Sequence, residues 1–293
     1  MRADPQAKKS EQNTEAEITA TFSIVAIDPE TGECGAAVAS KYPAVGEAVP
    51  YVRAGVGAFC TQHWLNAEWG EQALDLLQAG QQPEAVLAEL LADDPRPEKR
   101  QLAIIDMQGR AANRNPQGAD PSGQWWGGMT GRFYACQGNT LTGSEVVIAM
   151  AQAYESTQGS LTDRLMAALI AGDCAGGDHR GHLAAGIRVA KTGVEGVWFE
   201  LRVDNSDDAV IDLAKKYAET EHDAKGEWAG KAFEHPCVDR KPPVTPRKVN
   251  RREVACSKVL VRPLTPALTP DRCSACQQRA RGERKSSPQT ADS

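Results

Sequence analysis

Thr21 heads an apolar run, Thr21-Phe22-Ser23-Ile24-Val25-Ala26-Ile27, and a second run from Cys34 to Ser40 follows the turn Asp28-Pro29-Glu30-Thr31-Gly32-Glu33. This spacing predicts a hairpin with a threonine at the head of a buried strand. Such a threonine can serve as nucleophile and base together: its hydroxyl attacks, and its own free α-amine takes the proton. An α-amine titrates near about 7.7–8.0, so it is partly unprotonated at neutral pH. Twenty residues precede Thr21, so its nitrogen lies in a peptide bond until Ala20–Thr21 is cleaved. Without that cleavage, the threonine is simply a good strand former.

Other residue groups have chemistry of their own. Ser40 and Lys41 close the second run, and Ser23 shares a strand face with Thr21 by the period of two. In Gln137-Gly138-Asn139, a glycine permits close approach of backbone to a ligand, and Asn139 offers an amide donor for an oxyanion. One such donor lowers a transition state by roughly 2.7–4 kcal/mol; as structure alone, the same residues make a turn capped by Asn139. Thr61-Gln62 ends a Gly-rich apolar run and supplies polar lining. Asp178 and Arg180 stand two apart in the Gly-framed turn 177–181, suited either to orienting a substrate or to a structural salt bridge. His179 and His182 lack a third ligand at metal spacing, so no metal and no cofactor is expected. Trp125-Trp126 lies in a segment expected to be loop, suited to closing on a ligand or to fastening the loop.

Taken in order, Thr21-Phe22-Ser23-Ile24-Val25-Ala26, Ala37-Val38-Ala39-Ser40, Ala54-Gly55-Val56-Gly57-Ala58, Thr61-Gln62, Cys136-Gln137-Gly138-Asn139 and Gly177-Asp178-His179-Arg180-Gly181 carry a resemblance. Over residues 21 to 205 the chain resembles a family of bacterial proteins of unassigned function, grouped with the N-terminal-nucleophile hydrolases and usually opening Thr-Phe-Ser-Ile-Val-Ala. The resemblance implies a hydrolase acting on a non-peptide carbon–nitrogen bond of a small amide. It implies Thr21 as nucleophile after loss of residues 1–20, with Ser40 and Asn139 beside it as catalytic residues. Gln62, Gln137, Gly138, Asp178 and Arg180 would then bind substrate. The alternative is an inactive domain that keeps the fold to bind a small ligand or a partner.

The elements that must position these groups can be read from periodicity and punctuation. Helices are predicted over 69–77, 83–91, 144–156, 161–171 and 207–219, with Gly80 closing the first, Pro83 opening the second and Ser160 as an N-cap. Strands are predicted over 55–60, 101–107, 110–113, 132–136, 183–190 and 196–203, and 115–131 reads as loop. Strands at both ends with helical pairs between them argue for an α+β fold of two face-packed antiparallel sheets covered by helices. The resemblance implies the same four-layer αββα sandwich.

Charge divides the chain. Residues 222–293 carry 15 basic and 8 acidic side chains, net +7, and 8 of the 17 prolines; the 221 residues before them carry 18 basic and 31 acidic, net −13. This predicts a polar extension or propeptide over 1–20, one domain over 21–220 and a basic, Pro-rich, disordered tail over 221–293. Cys273-Ser274-Ala275-Cys276 lacks a second close cysteine pair for zinc, since Cys237 and Cys256 stand far apart. The basic runs of the tail have no interleaved aromatics, so nucleic acid is not expected as a partner. No run reaches the ~18 apolar residues of a membrane span, and no apolar signal segment precedes Thr21. Cys34, Cys60, Cys136 and Cys174 read as buried free thiols of a cytoplasmic protein. The expected partner is a small-molecule substrate, with self-assembly into a homo-oligomer left open.

Overall fold

A computed structural model of the chain describes residues 15–18, 21–116 and 124–220. In chain order the elements are β1 (Glu15–Ile18), β2 (Thr21–Asp28), β3 (Glu33–Ser40), α1 (Val45–Ala48), β4 (Pro50–Arg53), β5 (Gly57–Asn66), α2 (Glu68–Gln78) and α3 (Pro83–Ala92). They continue with β6 (Arg100–Asp106), β7 (Ala111–Arg114), β8 (Trp125–Gly131), β9 (Tyr134–Leu141), α4 (Glu145–Ser156), α5 (Leu161–Cys174), β10 (Ala184–Lys191), β11 (Phe199–Val203) and α6 (Ala209–Glu219).

The opening hairpin forms as expected. Asp28 Oδ1 accepts from the backbone N–H of Glu30 at 2.9 Å, and Gly32 takes the left-handed conformation (φ 71°) that the reversal needs. From this turn the strands zip in continuous register, Asp28 opposite Glu33 through to Thr21 opposite Ser40. Because side chains alternate along a strand, Phe22, Ile24 and Ala26 face one way and Thr21, Ser23, Val25 and Ile27 the other.

Two antiparallel sheets result. One has the order β11-β10-β3-β2-β9-β8; the other runs β1-β5-β6-β7, with β4 also paired to β5. Between them lie Val25, Ile27, Cys34, Ala36 and Val38 from the first sheet against Ala58, Cys60, Ala103 and Ile105 from the second. The outer face of the first sheet, through Phe22, Ile24, Ala37 and Ile187, packs on Met150, Leu165, Leu169 and Leu213 of α4, α5 and α6. The outer face of the second, through Phe59, Leu102 and Ile104, packs on Leu74, Leu77, Val86 and Leu90 of α2 and α3. Each sheet therefore buries both faces, and each helix one stripe. The architecture is an α+β sandwich of two antiparallel sheets with helices outside.

Ser160 caps α5 as predicted: its hydroxyl accepts from the Asp163 N–H at 3.2 Å, and Asp163 Oδ2 accepts from the Ser160 N–H at 2.9 Å. Four readings need correction. The segment 125–131 is strand β8, paired along β9, rather than loop; its glycines leave too few side chains for an alternating pattern to show. β4 was missed because four residues starting on proline carry no periodicity, and β5 runs on to Asn66. Cys34, Cys60 and Cys136 are buried free thiols, and burial pushes the first two up to about 11 and about 12. Cys174, the last residue of α5, is instead disulfide-bonded, so the expectation of a free thiol fails there. No helix among the described residues is long and apolar enough to cross a membrane. The tail, with its cysteines and basic runs, lies outside the described residues.

Candidate functional site

The space between the sheets changes character along its length. One end is filled by valine, isoleucine, alanine and cysteine; the other is built from Thr21, Ser23, Ser40, Gln62, Gln101, Gln137 and Asn139, each fully buried. Alternation places them there. Thr21 and Ser23 continue the inward row of Val25 and Ile27, and Ser40 ends the row of Ala36 and Val38. Gln62 continues Ala58 and Cys60, Gln101 begins the row of Ala103 and Ile105, and Gln137 and Asn139 follow Ala135. Register aligns them further: Gln62 stands opposite Gln101 across β5 and β6, and Ser23 opposite Gln137 across β2 and β9.

Buried polar groups are costly unless hydrogen-bonded, and these are bonded mainly to one another. The Thr21 hydroxyl donates to Ser40 Oγ at 2.9 Å, and Ser40 Oγ also accepts from the Tyr42 N–H at 3.2 Å. The Ser23 hydroxyl donates to Gln62 Oε1 at 2.7 Å. Gln62 Nε2 directs its two hydrogens to the Thr21 carbonyl at 3.2 Å and to Gln101 Oε1 at 2.7 Å. Asn139 Nδ2 donates to the same Gln101 oxygen at 2.7 Å. Gln101 Nε2 reaches the Gly138 carbonyl at 2.8 Å, Asn115 Oδ1 at 2.9 Å and the Gly127 carbonyl at 3.3 Å. Gln137 Nε2 donates to Ser23 Oγ at 3.4 Å, while its Oε1 is buried and has no hydrogen-bond partner among the described residues.

Thr21, Ser40, Gln62, Gln137 and Asn139 thus come together in one cluster. Gly138 faces the opposite side of β9 and joins only through its carbonyl. A Cβ there would lie 2.4 Å from Leu141 Cδ1 and 3.2 Å from Phe22 Cβ, so close packing is what requires the glycine. Thr61 faces outward with Phe59, away from the cluster. Gln101 was not singled out in the sequence, although its place at the head of the alternating Gln101-Ala103-Ile105 row was a usable signal. The residues after Gln62 and Asn139, His63 (φ 68°) and Thr140 (φ 55°), both hold left-handed backbone inside strands. Strain of about 1–3 kcal/mol at such positions gathers where function over-determines the backbone. The His63 ring meets Trp126 edge-on, with centroids 5.1 Å apart.

Asp178 and Arg180 form a separate turn. Asp178 Oδ1 accepts from the Arg180 N–H at 2.9 Å and from Arg180 Nε at 3.3 Å. Asp178 Oδ2 is buried with no hydrogen-bond partner among the described residues. Burial pushes the carboxyl above its ordinary range, and the Arg180 amide and charge pull it only partly back. His182 Nε2 accepts from the Asp178 N–H at 2.9 Å, while its Nδ1 meets Asp173 Oδ1 at 2.8 Å. The turn adjoins the cluster through backbone: the Leu183 N–H donates to the Ser40 carbonyl at 2.9 Å, and His179 Nδ1 lies 3.1 Å from the Thr140 carbonyl. Among the described residues no group of three or more His, Cys, Asp or Glu is placed to hold a metal ion.

Fold and site together define an α+β sandwich whose two antiparallel sheets enclose a buried cluster of hydroxyls and carboxamides. The chain belongs to the family of unknown function DUF1028, which matches residues 21–213. It is similar to the crystal structure of protein SPO2555 from Silicibacter pomeroyi, of the same family, at 31% identity and a TM-score of 0.62; the match covers 71% of this chain and 93% of that one. No curated protein matches it.

Proposed function

We propose that the chain is a hydrolase of the N-terminal-nucleophile class, cleaving the non-peptide C–N bond of a small amide with Thr21 after removal of residues 1–20. One observation carries this reading: Thr21 heads a central strand with its hydroxyl held on Ser40 and its carbonyl held by Gln62, at the polar end of an otherwise apolar layer. The family match beginning at residue 21 supports the same starting point.

In the proposed reaction Thr21 Oγ1 attacks the substrate carbonyl carbon, and the freed Thr21 amine takes the hydroxyl proton. Asn139 Nδ2 supplies a donor to the oxyanion, and Gln137 Oε1 accepts the substrate N–H. The C–N bond then breaks, the leaving amine carries away the proton, and water releases the acyl group from Thr21. Because the cluster is uncharged, the reading favours a neutral amide as substrate. The three buried free thiols support action in the cytoplasm, while the disulfide at Cys174 speaks against it.

The rival reading, an inactive ligand-binding domain, is favoured by β1. Residues 15–18 pair along β5, from Glu15 opposite Asn66 to Ile18 opposite His63, so the segment before Thr21 takes part in the second sheet. Intact-mass measurement of the purified chain, followed by a small-amide panel, separates the two. A chain beginning at Thr21 that turns over an amide supports the hydrolase. An unprocessed chain, inert to every amide, overturns it.

A further inference from the structure

We infer that Gln101 is the positioning residue of the cluster: its oxygen anchors the Gln62 and Asn139 carboxamides and, through Gln62, fixes the Thr21 carbonyl. The catalytic meaning of this inference rests on the hydrolase reading; its structural content does not.

The argument starts from groups that cannot reverse. A carboxamide can exchange its oxygen and nitrogen by a half-turn, so a chain of carboxamides has no inherent direction. Backbone carbonyls do have one, because they only accept. Two of them, from Gly138 in β9 and Gly127 in β8, face one end of the Gln101 side chain at 2.8 and 3.3 Å. That end must be the NH2. The Gln101 oxygen is then turned toward Gln62 and Asn139, and both must present N–H to it, as they do at 2.7 Å. With its nitrogen committed, Gln62 presents its oxygen to Ser23, whose hydroxyl becomes the donor, 2.7 Å away. Ser23 Oγ then accepts from Gln137 Nε2. The second hydrogen on Gln62 Nε2 falls to the Thr21 carbonyl. The Thr21 carbonyl, which also only accepts, marks the same end of Gln62 as NH2, so what Gln101 adds is the anchor: locked by two strands of the first sheet, its oxygen holds the nitrogens of side chains on β5 and β9.

Placement of the Thr21 carbonyl can be read without any substrate. Thr-Phe occurs once in the sequence, so a full chain labelled with carbonyl-13C threonine and 15N phenylalanine gives one resonance for the Thr21 carbonyl carbon. A carbonyl carbon shifts downfield when its oxygen accepts a hydrogen bond. Gln62→Met removes the donor directly and sets the reference shift. Gln101→Met is expected to move the resonance in the same direction as Gln62→Met, although residue 101 does not touch Thr21. Should Gln101→Met fail to fold, Gln101→Glu carries the test. Its protonated acid can still donate to the Gly138 carbonyl, so the resonance should match the parent at low pH. Ionised, it still accepts from Gln62 Nε2 and Asn139 Nδ2, so the resonance should stay at the parent position as pH rises. A Thr21 resonance at the parent position in Gln101→Met, or one at the Gln62→Met position in Gln101→Glu, overturns the inference. A parent chain inert toward every amide leaves this readout intact and sinks only the hydrolase reading.

Discussion

Replacing Gln101 by glutamate changes one NH2 into an oxygen, and the surroundings dictate a large, pH-dependent penalty. The NH2 end faces the Gly138 and Gly127 carbonyls and Asn115 Oδ1, all acceptors, in a fully buried position. An ionised carboxylate there would set negative charge against three acceptors without water. The folded state should therefore keep the introduced carboxyl protonated well above the ordinary glutamate value of about 4.3. The sign follows from linkage. Where the native state binds the proton and the unfolded state does not, stability falls as pH rises, by about 1.4 kcal/mol per pH unit. The fall starts near the unfolded value of about 4.3 and ends at the raised folded value; buried glutamates reach about 8–9. Between about pH 4.5 and about pH 7.5 the variant should therefore lose about 4 kcal/mol relative to the parent. For a domain of this size that is about 8–16 °C in Tm. Calorimetry of both chains across that range reads the difference directly, and the raised Asp178 carboxyl, present in both, cancels. A pH-independent difference, or one that grows on acidification, would refute the assigned direction of the network.

Thr21→Ala should abolish amide turnover while changing Tm little, and Thr21→Ser should retain part of the activity; an alanine variant as active as the parent removes Thr21 as nucleophile. Asn139→Ala should lower kcat more than it raises KM, since its donor engages as charge develops; an effect confined to KM would assign it to ground-state binding. Asp178→Asn and Arg180→Ala should be non-additive in a double-mutant cycle, because Arg180 Nε bonds directly to Asp178 Oδ1. Since the Asp178 carboxyl is raised, its ionised form opposes folding. Asp178→Asn should lack the parent's loss of stability as pH rises above about 3.9, and a parallel pH dependence in both proteins would contradict that. Arg100 and Asp94 form a bidentate pair at 2.7 and 2.8 Å with side chains almost wholly buried. Asp94→Ala should therefore cost about 3–5 kcal/mol, and urea titration showing a loss below about 1 kcal/mol would deny the pair that role.

The amino-acid sequence by itself determined whatever depends on neighbours close along the chain. The hairpin of β2 and β3 follows from two apolar runs around an Asp-initiated turn with a glycine at the left-handed position. The start of α5 follows from Ser160 and Asp163 three apart. That Thr21 and Ser23 share a strand face follows from the period of two. Tertiary structure decided the rest, because sheet pairing joins residues that no local pattern relates. Gln62 and Gln101 are 39 positions apart, and Gln137 lies 114 from Ser23; only the register of β5 on β6 and of β2 on β9 brings them within hydrogen-bonding distance. Strand β8 exists through its ladder with β9, since its glycines carry no pattern of their own. Asp178 and Arg180 share a turn that is legible locally, yet that turn stands beside Thr21's cluster rather than within it. A lone buried glutamine reads in sequence as an ordinary polar residue. It becomes the centre of the site only where two sheets face each other and leave it three carboxamide neighbours and two fixed carbonyls.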